Sequence, residues 1–155
     1  MGFGALSLKG RALRYLAQRE HSRAELERKL ARFAEDRPEA TAQAQIAAAL
    51  DELAAKGLMS EARAAESVLS GQGQRFGSRR LKQTLQAKGL SSELIAQTLQ
   101  KARATELERA RELWRRRFGA PAEDAAGRAK QMRFLAGRGF EGDVIRRVVR
   151  AQEDD

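Results

Sequence analysis

Two stretches decide the fold: LKQTLQAKGLSSELIAQTL at residues 81–99 and KQMRFLAGRGFEGDVIRRVV at residues 130–149. With Leu85 laid on Leu135, Gly89 meets Gly139, Leu90 meets Phe140, Leu94 meets Val144, Ile95 meets Ile145 and Leu99 meets Val149. Apolar residues at helical spacing stand on both sides of a Gly-apolar pair. A glycine just past a helix takes the left-handed geometry that ends it. The unit is therefore helix, tight turn, helix. A further copy is anchored at Leu16, with Leu26 and Leu30 at the same offsets as Ile95 and Leu99, and the front half recurs at Leu53, Gly57 and Leu58.

Self-similarity at this spacing marks a repeat architecture. We expect an all-α protein of tandem three-helix repeats over residues 8–58, 59–104 and 105–152. One such module buries little apolar surface, so neighbours stack, and the expected shape is an elongated, curved rod. Gly137-Arg138-Gly139 invites a phosphate-loop reading, but a fingerprint of that kind needs a preceding strand, and none is predicted. It reads as a turn preceded by a basic helix.

Nine short helices are expected, rich in Ala, Leu, Glu, Arg, Lys and Gln. Leu13, Leu16 and Ala17 mark the first, over about residues 8–19. Ser22-Arg23-Ala24-Glu25 is a capping box opening the second. Asp36 and Pro38 suit the start of the third, lined by Ile46, Leu50 and Leu53. Ser60 caps the fourth, and GQGQRFG at 71–77 is the most flexible-looking link. Leu81 and Leu85 line the fifth helix; Leu94, Ile95 and Leu99 line the sixth. Leu107, Ala110, Trp114 and Phe118 form the inward stripe of the seventh, which makes Trp114 a core residue rather than a stacking platform. APAEDAAG at 120–127 leads into the eighth, lined by Met132 and Leu135. Val144, Ile145, Val148 and Val149 line the last, and Glu153-Asp154-Asp155 is a fraying polar tail.

Thirty Lys and Arg against twenty-one Asp and Glu give a net charge of +9, which points to a polyanionic partner. Residues 67–92 hold no acid but carry Arg75, Arg79, Arg80, Lys82 and Lys88. Residues 125–140 again hold none, with Arg128, Lys130, Arg133 and Arg138. Residues 1–19, with Lys9, Arg11, Arg14 and Arg19, are acid-free on what the Leu16 copy makes the matching helix. Residues 35–66 oppose them with seven acids and three bases. If equivalent helices face one way, Arg14, Arg75, Arg79, Arg80, Lys82, Lys88, Arg128, Lys130, Arg133 and Arg138 form a basic stripe able to follow a helical polyanion or its protein coat.

Catalysis is not expected. The chain has no Cys and a single His, which excludes a disulfide framework and a Cys-based zinc site and gives no relay for a nucleophile. No cofactor or metal is expected. No apolar run reaches the roughly 20 residues of a membrane span, so a cytoplasmic protein without membrane contact is expected.

The same segments resemble the RecX family of bacterial regulators of the recombinase RecA. ALRYLAQREHSRAELERKL at 12–30 is similar to the family's opening signature through Ala12, Leu13, Leu16, Arg19, Ser22, Glu25, Leu26, Lys29 and Leu30. LDELAAKGLMSEARAAE at 50–66 resembles the second element, except that Arg63-Ala64-Ala65 replaces the usual Arg-Phe-Ala. GSRRLKQTLQAKGL at 77–90 and RFLAGRGFEGDVIRRVV at 133–149 are similar to the third and fourth. The resemblance implies a non-enzymatic modulator that binds the RecA–single-stranded DNA filament along its groove. It implies inhibition of ATP hydrolysis, strand exchange and co-protease activity, within DNA repair, recombination and the SOS response. A monomer is expected, and weak direct DNA binding is compatible with it. Two alternatives remain from the residues alone: an independent helix-turn-helix DNA-binding module, and a ribosome- or RNA-associated helical protein.

Overall fold

The computed structural model describes residues 6–151. Among these are nine α-helices: α1 (Leu8–Gln18), α2 (Arg23–Leu30), α3 (Ala42–Ala55), α4 (Glu61–Gln72), α5 (Ser78–Ala87), α6 (Ser92–Ala104), α7 (Glu106–Arg117), α8 (Ala125–Gly137) and α9 (Gly142–Ala151). A 3₁₀ turn, Ala31–Phe33, follows α2. The described residues hold no strand, only an isolated bridge between Arg37 and Ala40. The all-α expectation is met. The tail Glu153–Asp155 lies outside the described residues.

The chain forms two compact units. The first runs through Ser67 and takes in Lys88–Leu90; the second holds Val68–Ala87 and everything from Ser91 onward. The first is built on Ala12, Leu26, Leu30, Ile46, Leu50, Leu53 and Met59, with Leu8, Tyr15 and Leu16 packed against them. The face of α1 is thus Leu8, Ala12, Tyr15 and Leu16, at i, i+4, i+7 and i+8. Leu13 is 37% exposed, and Ala17 is exposed. The expected inward face was rotated by one residue, because a small alanine marked the buried side and a leucine the open one.

The start of α3 also differs from expectation. Thr41 is the N-cap, its hydroxyl accepting from the Ala44 N–H. Asp36 remains part of the device, accepting from the Ala42 N–H at 2.8 Å across the loop. The capping box at Ser22 and Glu25 forms with both bonds present, and Ser60 caps α4 by accepting from the Arg63 N–H.

In the second unit one cluster joins Ala110, Trp114, Leu135, Phe140, Val144, Ile145, Val148 and Val149. Trp114 is 2% exposed, and its indole N–H donates to Gln131 Oε1 at 3.0 Å. Its core role is as expected. The link at 71–77 is not slack. Arg109 donates to the carbonyls of Gly73, Phe76 and Ala102, and α4 itself runs through Gly71 to Gln72.

A junction of the same design occurs in each unit. In the first, the N-terminus of α2 receives the Glu61 carboxylate on the Arg23 N–H at 2.6 Å. The Ser22 hydroxyl donates to the Lys88 carbonyl, and Gly89, at φ +69°, lies where a Cβ would stand 2.6 Å from Ala24 Cβ. In the second, the Glu106 carboxylate accepts from the Ser78 N–H at 3.1 Å. The Gly77 N–H donates to the Arg138 carbonyl at 2.8 Å. Gly139, at φ +84°, would place a Cβ 2.4 Å from Arg80 Cβ. Glu61 opens α4 and Glu106 opens α7, so each of these helices caps the helix two before it in the α order. The carboxylate and carbonyl bonds equate Arg23 with Ser78 and Lys88 with Arg138, which sets Leu26 against Leu81; the two glycines dock one residue apart in that register, on Ala24 and on Arg80.

The equivalence corrects the phase of the repeat. The copies at Leu85 and Leu135 hold, on α5–α6 and α8–α9. Leu16 lies on α1 and Leu53 on α3, so neither is the counterpart of Leu85; that counterpart is Leu30 on α2. Gly57 has the turn geometry, φ +73°, but nothing within 4 Å of a Cβ position. It shares the local chemistry of Gly89 and Gly139 without their docking contact.

Candidate functional site

The second unit's junction brings the two acid-free segments together. The Gly77 N–H bonds to the Arg138 carbonyl and the Arg79 N–H to that of Gly139 at 2.9 Å. Gly77 is required by this approach, since a Cβ there would stand 2.4 Å from Phe140 Cα. Below, Glu106 is 2% exposed and takes the Ser78 hydroxyl at 2.9 Å and the Glu141 N–H at 3.2 Å in addition to the Ser78 N–H. A buried carboxylate with three donors is satisfied and fixes the starts of α5 and α9.

On this frame Phe76 collects cations. The guanidinium carbons of Arg80, Arg75 and Arg138 lie 4.7, 5.5 and 5.8 Å from its ring centroid. Arg138 also lies 5.3 Å from the Phe134 ring, which Arg117 approaches at 5.6 Å. Phe134 meets Phe118 edge to face at 5.4 Å. Cations over aromatic faces at these distances are attracted by the ring quadrupole. Among the described residues no ion pair and no hydrogen bond engages the side chains of Arg75, Arg80, Arg117 or Arg138.

The first unit's junction is electrically different. At the place of Arg80 stands Glu25, bonded to Arg19 at 2.7 Å and to Lys88 at 3.1 Å. Burial would raise the Glu25 pKa, but the bonds from Arg19, the Ser22 N–H and Lys88 outweigh it and bring it to about 2. At the place of Phe76 stands His21, 0% exposed. Its Nδ1 contacts the Arg19 carbonyl at 3.0 Å and its Nε2 the Lys29 ammonium at 2.8 Å. Burial lowers its pKa, and the charges of Arg19 and Lys29 act the same way, against the Arg19 carbonyl bond. A neutral imidazole accepting from Lys29 follows. His21 is part of the packed interior, and among the described residues no group of three or more His, Asp or Glu side chains is placed to hold a metal ion.

Comparison with known proteins decides the family. Models of the first, second and third three-helix domains of RecX match residues 9–36, 60–99 and 104–149. The regulatory protein RecX of Leptothrix cholodnii is 53% identical over 150 residues, covering 97% of this chain and 92% of that one. The chain belongs to the RecX family. The regulatory protein RecX of Herminiimonas arsenicoxydans is 45% identical, covering 97% and 95% of the two chains. The crystal structure of RecX from Lactobacillus salivarius matches with a TM-score of 0.76 over 96% of both chains at 19% identity, which speaks to the fold.

In this RecX-family chain the ten basic candidates fall into distinct settings. Arg75, Arg79, Arg80 and Arg138 gather at the second unit's junction, the first three exposed. Lys82 on α5 and Lys130 and Arg133 on α8 are exposed. Arg128 is half-buried and lines a pocket of about 220 Å³ with Met132, Arg146, Val149 and Arg150. Lys88 belongs to the first unit and is tied to Glu25. Arg14 lies exposed on α1. The helix matching α5 is α2, which carries Glu25 and Glu27, so the stripe does not recur on three equivalent helices. Arg117, Phe76 and Phe134 join the cluster although charge windows did not select them. Arg117 follows the acids of α7 in sequence, and only the two phenylalanines inside acid-free segments hinted at a cation–aromatic surface.

No helix among the described residues is long and apolar enough to cross a membrane.

Proposed function

We propose that the chain regulates RecA by binding the RecA–single-stranded DNA filament and suppressing its ATP hydrolysis, strand exchange and co-protease activity. Family membership over nearly the whole chain carries this reading. The unneutralised basic surface on the second unit supports it physically: a filament of nucleic acid and protein is a repeating polyanion, and a +9 chain accumulates on it. In this reading regulation needs no reaction on the regulator. A ligand that prefers one filament conformation shifts the population toward it, by as much as its differential affinity. The chain acts as a cytoplasmic monomer of three modules, 8–58, 59–104 and 105–152, with Arg14, Arg75, Arg79, Arg80, Lys82, Lys88, Arg128, Lys130, Arg133 and Arg138 as candidate contacts.

Co-sedimentation tests it. The labelled chain should pellet with RecA assembled on single-stranded DNA and ATPγS, and less with RecA or DNA alone. Equal recovery with DNA alone would replace this reading by direct nucleic-acid binding.

A further inference from the structure

We propose that the Phe76 cluster grips the phosphodiester backbone of a nucleic-acid strand, with Arg75, Arg80 and Arg138 donating to its phosphate oxygens. The inference goes beyond the filament reading, because it assigns a contact to the strand itself.

The two junctions are of one design. They share a capping carboxylate, a docked glycine turn and a carbonyl held by the neighbouring helix start. In the first unit the Glu25–Lys88 pair closes the junction at 3.1 Å. In the second, the same two places hold Arg80 and Arg138, both directed at one ring. Like charges set together where the same architecture elsewhere holds an ion pair are a local conflict, and such conflicts concentrate at functional sites. An anion from outside would resolve it.

The chemistry of the anion follows from the geometry. A guanidinium drawn to a ring and engaged by no carboxylate keeps N–H groups for a ligand, and its fork matches two oxygens of a phosphate. The Phe76 ring gathers the three groups at one place before the ligand arrives, which lowers the cost of bringing like charges together on binding. The cationic surface continues past one anion: Arg138 leads to Phe134, and Arg117 stands over both Phe134 and Phe118. A single ion would leave most of it unused. A strand brings charge after charge at a fixed covalent spacing, and partly exposed aromatic faces accept its sugars and bases.

The test uses the full chain and no RecA, so its failure is separable from that of the filament reading. Fluorescence anisotropy with labelled oligothymidylate is read at about 50 and about 200 mM salt, with oligouridylate in parallel to show whether DNA or RNA is preferred. The triple variant Arg75→Ala, Arg80→Ala, Arg138→Ala should weaken binding at least about tenfold and lower the salt slope by about 2, since a single strand releases about 0.7 counterion per phosphate contacted. The equal-charge control Arg37→Ala, Arg103→Ala, Arg115→Ala should change affinity by less than about threefold. Phe76→Leu, which keeps every charge, should weaken binding several-fold. Arg80→Glu should abolish binding while keeping or raising the melting temperature, because it recreates the first unit's ion pair with Arg138. Unchanged binding in the first triple variant, equal loss in the control, or displacement of the strand by polyglutamate as readily as by oligothymidylate would each overturn the assignment.

Discussion

Replacing Glu106 by alanine removes the acceptor shared by the starts of two helices. In the native protein its carboxylate takes the Ser78 N–H, the Ser78 hydroxyl and the Glu141 N–H, at 3.1, 2.9 and 3.2 Å. The side chain is buried, so water does not substitute freely. The hydroxyl can turn toward Glu141, whose Oε1 is 3.4 Å away. The two backbone donors cannot turn. Each orphaned N–H costs about 1–3 kcal/mol, and with loss of the charged acceptor the expected total is about 3–5 kcal/mol. Glu61→Ala is the internal comparison: it breaks one backbone bond from a half-buried carboxylate, a loss of about 1 kcal/mol that water partly restores. Trp114 is the chain's only tryptophan and lies on α7 with Glu106, so its fluorescence reports the unit concerned. A urea midpoint lower by about 2 M is expected for Glu106→Ala, for a slope near 2 kcal/mol/M. A shift no larger than that of Glu61→Ala would refute the view that this carboxylate holds α5 and α9 together.

Three further expectations follow from the junctions. Gly139→Ala puts a Cβ against Arg80 at positive φ and should cost at least about 2 kcal/mol more than Gly57→Ala, which meets only the roughly 1 kcal/mol of left-handed strain; denaturant melts of the two variants decide it. Glu25 contributes stability that is complete above its ordinary pKa of 4.5 and is lost as pH falls from there toward about 2, because the unfolded chain binds the proton first; Glu25→Gln should flatten the melting-temperature profile in that window. His21, its pKa lowered from 6.5, acts with the same sign: stability is present above 6.5 and falls as pH drops below it, and His21→Gln should remove that part of the profile.

Helix count, the turns at Gly89 and Gly139, and the caps at Ser22 and Ser60 were legible because each rests on neighbouring residues. The face of α1 was less so: Ala12 and Leu13 differ in size, and only packing shows that the smaller side chain faces in. Repeat phase escaped for a related reason. A helix-ending glycine followed by an apolar residue looks the same at 57, 89 and 139, whereas docking distinguishes the last two. Glu61 and Glu106 each looked like ordinary first-turn acids, because their acceptor role joins residues 38 and 28 positions apart. The candidate site was half legible. Its charges stood out in the acid-free windows, but the replacement of a Glu25-like acid by Arg80 acquires meaning only once the two junctions are superposed.

The most direct test of the account is RecA's single-stranded-DNA-dependent ATP hydrolysis, titrated with this chain from well below RecA's concentration. The account predicts a progressive fall in rate that is blunted by the Arg75, Arg80, Arg138 triple alanine variant, while the Arg37, Arg103, Arg115 control follows the unmodified chain. An unchanged rate up to equimolar chain, with RecA from the same organism, would contradict it.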